Sequence, residues 1–174
     1  LECYFCANCS FVQLSDIVDP ELLFKDYVYV SSTSNVFVQH FKELAEKVRS
    51  KFDLKKNSLV VDVGSNDGIL LRPFKEKGMK VLGIDPAEKI AALATKNGIE
   101  TLPEFFTPAL AEKISKERGK AKVITATSVF SHVDDLDGFV EGVEKLIADD
   151  GIFIVEVYYM KSLLEKNLFD TIYH

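Results

Sequence analysis

Apolar positions follow two rhythms along this chain. Val36, Phe37, Phe41, Leu44, Ala45, Val48 and Phe52 recur at helical spacing, so an amphipathic helix is predicted over 35–52, with Ser34 or Asn35 available as its cap. From residue 58 onward, short apolar runs alternate with helix-period segments. The reading is strand 58–63, helix 68–77, strand 80–84, helix 87–97, strand 99–102, helix 108–118, strand 122–127, helix 135–148 and strand 151–158. Such alternation predicts an α/β fold, a doubly wound, mostly parallel sheet with helices on both faces. Residues 10–34 have no clear period; Pro20, the Tyr27-Val28-Tyr29 cluster and Ser31–Ser34 read as an extended arm over the domain. The chain thus divides into an arm, 1–34, and a domain, 35–174. Pro73 falls inside the helix expected after residue 68, where it would remove a hydrogen bond and clash with the preceding turn. That helix should be kinked or start late.

With 174 residues, 47% of them hydrophobic, the chain can bury one sizeable core. A net charge of -6 without a basic run argues against nucleic acid as a partner. No apolar run approaches the ~20 residues a membrane helix needs, and no signal-peptide pattern is visible. The expectation is a soluble, cytoplasmic protein without a membrane partner.

The candidate chemistry lies in the loop after the first strand, Asp62-Val-Gly64-Ser65-Asn66-Asp67-Gly68, and in Asp85, the acid that ends the next strand. This is how a doubly wound sheet presents a nucleoside-bearing ligand: the loop admits it closely, and an acid about 20 residues on receives ribose hydroxyls. A dinucleotide fingerprint would need glycine at the first, third and sixth loop positions, which here hold Gly64, Asn66 and Ile69. No Gly-Lys-Ser/Thr is present either. Asp62 and Asp67 would repel a pyrophosphate, whereas S-adenosylmethionine has no phosphate and carries a sulfonium and an ammonium that carboxylates favour. The acidic loop therefore points to a methyl donor.

Asp-x-Gly-x-x-x-Gly after a strand, with an acid ending the next, resembles the class I methyltransferases, whose core is Rossmann-like. GSNDGILL, GIDPA, EFF, SVFSHVDDL and FDTIYH, in that order, resemble the sugar C-methyltransferases, which methylate nucleotide-linked keto-deoxysugars. The resemblance runs from about Cys6 to His174 and implies a chain that continues in both directions. It implies S-adenosylmethionine as cofactor and a nucleotide-linked sugar as the small-molecule partner.

The cofactor candidates are Asp62, Gly64, Ser65, Asn66, Gly68, Asp85, Pro86, Phe106, Thr127, Ser128 and Val129. Gly64 permits close approach of the loop, and Asn66 tolerates a left-handed backbone. Asp62 could reach an ammonium or only brace the loop. Asp85 could bind ribose, cap the next helix with Pro86 at its first position, or do both. Phe106 either lies beside the adenine, as the resemblance implies, or fills the core. The resembled family usually has asparagine and alanine where this chain has Ser128 and Ser131. Asp134 and Asp135 read as caps for the helix that follows.

Carbon becomes nucleophilic only after losing a proton next to a carbonyl, so a base must generate an enolate whose oxygen needs a donor nearby. His132, Tyr29 and Tyr173 are the catalytic candidates, although a lone histidine can equally be structural. The resemblance places the expected base, a later histidine, beyond His174. The chain as given is then expected to fold and bind cofactor but to transfer methyl poorly. Cys6 and Cys9 have C-x2-C spacing, half of a structural zinc site. The resemblance implies that the first pair of ligands lies upstream, so zinc is expected only in the intact protein; free thiols are the alternative. Two other functions stay open: O- or N-methyl transfer to another small molecule, and cofactor binding without turnover.

Overall fold

The computed structural model describes residues 2–16 and 18–168. Strands β1 (Cys3–Phe5) and β2 (Val12–Leu14) form a small antiparallel hairpin. The segment that follows is not wholly extended, as its composition suggested. Asp19 accepts the Glu21 N–H at 2.9 Å, and with Pro20 at the first position this starts a short helix α1 (Pro20–Phe24). A 3-10 turn at Ser31–Thr33 precedes α2 (Asn35–Lys51), which Ser34 caps through the Phe37 N–H.

The domain alternates as its pattern predicts: β3 (Leu59–Val63), α3 (Leu71–Glu76), β4 (Lys80–Ile84), α4 (Glu88–Lys96), β5 (Thr101–Leu102), α5 (Pro108–Arg118), β6 (Ala121–Thr127), α6 (Leu136–Leu146) and β7 (Ile147–Glu156); a short helix that the pattern did not predict, α7 (Met160–Glu165), follows. The five strands β3–β7 make one parallel sheet in the order β5-β4-β3-β6-β7. Strand β3 is buried along its whole length, and alternate residues serve opposite faces. Val61 and Val63 pack with Leu110, Ile114, Phe139 and Leu146 of α5 and α6. Val60 packs with Phe41, Ala45, Leu70, Phe74 and Ala94 of the opposite helical layer. Order 5-4-3-6-7 reverses direction at β3, the switch point where open α/β sheets leave a crevice beyond the strand ends.

Most boundaries shift by one or two residues from the sequence reading, and three of the differences have identifiable reasons. Helix α3 starts at Leu71 rather than 68, which puts Pro73 in its first turn, where its missing N–H has no intrahelical partner to lose. Helix α4 starts at Glu88 with Ala87 in the cap position, so Asp85 is not the N-cap and Pro86 is not the first helical residue. Strand β7 begins at Ile147, four residues before the expected start, through an irregular pairing with Ala121 and Val123.

Candidate functional site

Beyond the carboxyl ends of β3, β4, β6 and β7 lies a cavity of about 630 Å³. Its lining begins at the loop after β3. Gly64 adopts φ +68°, and a Cβ there would sit 2.2 Å from Val129 Cγ2, so only glycine lets this turn pass under the segment after β6. Asn66 is left-handed at φ +49°, as expected of its residue type. Gly68, also at positive φ, instead abuts Ile99 and is absent from the lining. Ser65 is buried, lines the cavity, and its hydroxyl has no protein hydrogen-bond partner.

Two carboxylates underlie this loop. Asp62 is 2% exposed and accepts a hydrogen bond from Thr125 Oγ1 at 2.6 Å, its neighbour across the β3–β6 register. Burial pushes its pKa up to about 7; the Thr125 hydrogen bond opposes the shift, and the Asp85 charge adds to it. Asp85 Oδ2 accepts the Asn66 N–H at 2.8 Å and Oδ1 accepts the Ala87 N–H at 2.9 Å. Burial raises the Asp85 pKa against the pull of those two amides. Asp85 thus organises the turn before α4 without being its N-cap. Both carboxylates line the cavity, and Pro86 lies beside them.

Phe106 does both things its position allowed: it lines the cavity and packs its ring 5.0 Å from that of Phe139 in the core. Across the mouth stand Thr127, Ser128 and Val129 from the end of β6. Ser128 is left-handed at φ +56°, and its N–H donates to the Glu156 carbonyl at 2.7 Å. His132 ends a 3-10 turn, lines the cavity, and has its ring 5.9 Å from Phe24. Asp135 caps α6 through the Gly138 N–H at 2.9 Å. The arm supplies Phe24, Tyr27, Tyr29 and Ser31 to the same lining. Tyr173 lies outside the described residues.

Comparison with known proteins agrees with this fold. The profile of the methyltransferase domain matches residues 37–174, most of the chain. The chain belongs to the methyltransferase-domain family. It is 37% identical over 174 residues to the C-methyltransferase NovU of Streptomyces niveus, covering all of this chain and 41% of that protein. It is 28% identical over 109 residues to the ubiquinone biosynthesis O-methyltransferase of Pelagibacter ubique (strain HTCC1062), covering 63% of this chain and 45% of that one. The chain therefore spans less than half the length of these relatives. Among solved structures, the PH0226 protein of Pyrococcus horikoshii OT3 matches with a TM-score of 0.62 at 18% identity, over 80% of this chain and 62% of that chain. The plantazolicin methyltransferase BpumL, solved in complex with SAH, matches at 0.60 with 17% identity, over 74% and 50%. These structures share the fold.

Two features of this methyltransferase domain escaped the sequence reading. The side chain of Asn66 faces the arm: its Oδ1 accepts the Ser31 N–H and its Nδ2 donates to the Tyr29 carbonyl, each at 2.9 Å. His40 of α2 lies 2.8 Å from Glu156 at the end of β7, through Nε2 and Oε2. Neither pairing has a sequence signature, because the partners are 35 or more residues apart. Cys3, Cys6 and Cys9 are exposed free thiols, and backbone N–H groups of Cys9 and Asn8 hold the Cys6 thiol below its ordinary pKa. Among the described residues no group of three His, Cys, Asp or Glu could hold a metal, so the donors present do not fit a structural zinc site. No helix among them is long and apolar enough to cross a membrane.

Proposed function

We propose that the cavity binds S-adenosylmethionine and serves methyl transfer to a carbon of a nucleotide-linked keto-deoxysugar. The observation that carries the first half is the pair of buried carboxylates, Asp62 and Asp85, at a glycine turn in a lining without lysine or arginine. A dinucleotide pyrophosphate is disfavoured beside these carboxylates, whereas an ammonium favours an ionised Asp62 and a ribose diol finds an acceptor in Asp85. Ser65, with its unpartnered hydroxyl, is a further polar contact, and Phe106 offers an apolar surface to the adenine. S-adenosylmethionine supplies a methyl group on a sulfonium. The chain must then hold the acceptor carbon in line and manage its proton.

Sheet order separates the two halves of this task. Asp85 follows β4 and the loop follows β3, whereas His132 and Tyr158 come after β6 and β7, on the other side of the switch point. The acceptor therefore belongs beside His132, and Tyr29 reaches the same lining from the arm. His132 and the Tyr29 hydroxyl position the sugar and polarise its keto group, and the proton on the adjacent carbon goes to the later histidine that the family resemblance implies. Because the described residues of the lining include no lysine or arginine, the cavity suits the sugar ring better than the nucleotide diphosphate. The similarity to NovU supports carbon as the acceptor atom.

Calorimetric titration tests the cofactor: S-adenosylhomocysteine should bind and NAD should not, and tight NAD binding without a response to S-adenosylhomocysteine would refute the reading. Labelled S-adenosylmethionine with a nucleotide-linked 4-keto-deoxysugar, beside phenol and amine acceptors, tests the chemistry. Transfer confined to phenols or amines would replace carbon by oxygen or nitrogen.

A further inference from the structure

The Glu156 and His40 pair is unused by the chemistry above, although Glu156 lines the cavity. Its position follows from the sheet. Ile152 and Ile154 of β7 face the layer that contains α2, and Glu156, two residues further, points the same way. In the β6–β7 register Glu156 stands opposite Thr127, one step beyond the Thr125 that holds Asp62. The carboxylate is therefore on the same face of the sheet as Asp62, one row nearer the carboxyl edge and past the switch point, on the acceptor side. Its backbone carbonyl accepts the Ser128 N–H, which fixes the strand end against the segment leading to His132.

We infer that Glu156 is an acceptor-binding residue that receives hydrogen bonds from hydroxyl groups of the methyl acceptor, and that His40 is a positioning residue that holds its carboxylate in place. This inference rests on the methyl-transfer reading of the cavity. The chemistry follows from the donor and acceptor inventory. An ionised carboxylate is acceptor-only, with about four lone-pair sites. The His40 ring occupies one oxygen at 2.8 Å and leaves capacity for more donors. Asp135 spends an oxygen on the cap of α6, while Asp62 and Asp85 serve the other half of the cavity. A polyhydroxylated ring entering beside His132 thus meets in Glu156 a charged acceptor already restrained at its far end.

Stability alone does not account for the pair. Both side chains are more than two-fifths exposed, at 44% and 41%, where ion pairs are worth little. A structural role would be read in melting temperature and a binding role in the acceptor.

The experiment uses protein saturated with S-adenosylhomocysteine and a nucleotide-linked 4-keto-6-deoxyhexose as probe, followed by NMR of the His40 ring and by calorimetry. Assignment of the ring comes from His40→Gln. Adding the probe should shift the His40 resonances of the wild type. In Glu156→Gln the probe should bind at least tenfold more weakly while S-adenosylhomocysteine binds within twofold of wild type and melting is unchanged. His40→Gln should give a smaller loss of probe affinity than Glu156→Gln. If the His40 resonances stay still in wild-type protein that binds S-adenosylhomocysteine, or if Glu156→Gln binds the probe as tightly as wild type, the inference is overturned. Failure of the methyl-transfer reading would appear separately, as absent S-adenosylhomocysteine binding by the wild type.

Discussion

The backbone N–H of Asn66 donates to Asp85 Oδ2 at 2.8 Å, which fastens the acid ending β4 to the loop ending β3. The loop after β3 and the end of β4 are therefore one hydrogen-bonded unit at the cavity. The second Asp85 oxygen takes the Ala87 N–H, so the same side chain also sets the entry to α4.

Asp85→Asn should consequently damage both fold and site. Asparagine offers one acceptor oxygen where aspartate offers two, and its amide would turn a donor toward one of the two backbone N–H groups. Leaving that buried group unpaired should cost about 1–3 kcal/mol. Scanning calorimetry reads this loss, and titration should find S-adenosylhomocysteine bound at least several-fold more weakly. Lost stability with untouched affinity would reduce Asp85 to an architectural role.

Asp62 predicts a pH dependence whose sign is fixed by its burial. Its ordinary carboxyl value is 3.8, and in the folded protein it stands at about 7. Between those values the folded protein holds a proton that the unfolded chain has released, so this group makes stability fall as pH rises through the window and level off above it. The full effect is on the order of 4 kcal/mol. Melting measured from pH 5 to 8 should slope downward, and Asp62→Asn, which keeps an acceptor for Thr125, should flatten the slope. A ligand ammonium favours the ionised form, so S-adenosylhomocysteine binding near pH 6.5 should release protons, detectable by calorimetry in buffers of different ionisation enthalpy. Proton uptake, or none, would place the ammonium elsewhere.

The central sheet was legible in the sequence because apolar runs such as Leu59–Val61 and Val123–Ile124 serve buried strands, and the intervening helices carry their own period. The meeting of Gly64, Asp62 and Asp85 at one cavity was legible as well, since they are fixed by position along adjacent strands. The arm was not. Tyr29 and Ser31 are held by Asn66, a contact across more than 30 residues that no local pattern encodes. The Asp85 cap illustrates a different failure. Aspartate, proline and glutamate at 85, 86 and 88 fit a helix start, but the Asn66 N–H and the Ala87 N–H claim the carboxylate for a turn two residues earlier. Tertiary pairing overrode a sound local signal.

Gly64→Ala should test how tightly the cradle is built. The added Cβ would lie 2.2 Å from Val129 Cγ2 and would force a non-glycine residue to φ +68°. Overpacking of this kind costs about 1–3 kcal/mol, with roughly 1–2 kcal/mol more for the backbone. The double variant Gly64→Ala/Val129→Ala should recover the first part and not the second. Recovery to wild-type stability would mean that backbone conformation contributes nothing, and no recovery would mean that the clash is relieved elsewhere.

Asn66→Gly separates the two roles of Asn66. Glycine keeps the left-handed backbone and the N–H that reaches Asp85, but it removes the amide that accepts from Ser31 and donates to Tyr29. Relief at φ +49° offsets part of the cost, so global stability should fall by no more than about 1–2 kcal/mol. The effect should instead be local. Hydrogen exchange at the Ser31 amide should accelerate at least tenfold, and proteolysis of the segment around 20–33 should quicken, while amides of β3 keep their protection. Because Tyr27 and Tyr29 line the cavity from this arm, S-adenosylhomocysteine affinity should fall with arm protection. Asn66→Ala should show the same loosening with a larger loss of global stability, since alanine adds strain at positive φ. Unchanged exchange at Ser31 in Asn66→Gly would mean that packing of Phe24 and Tyr27, rather than the Asn66 amide, holds the arm over the site.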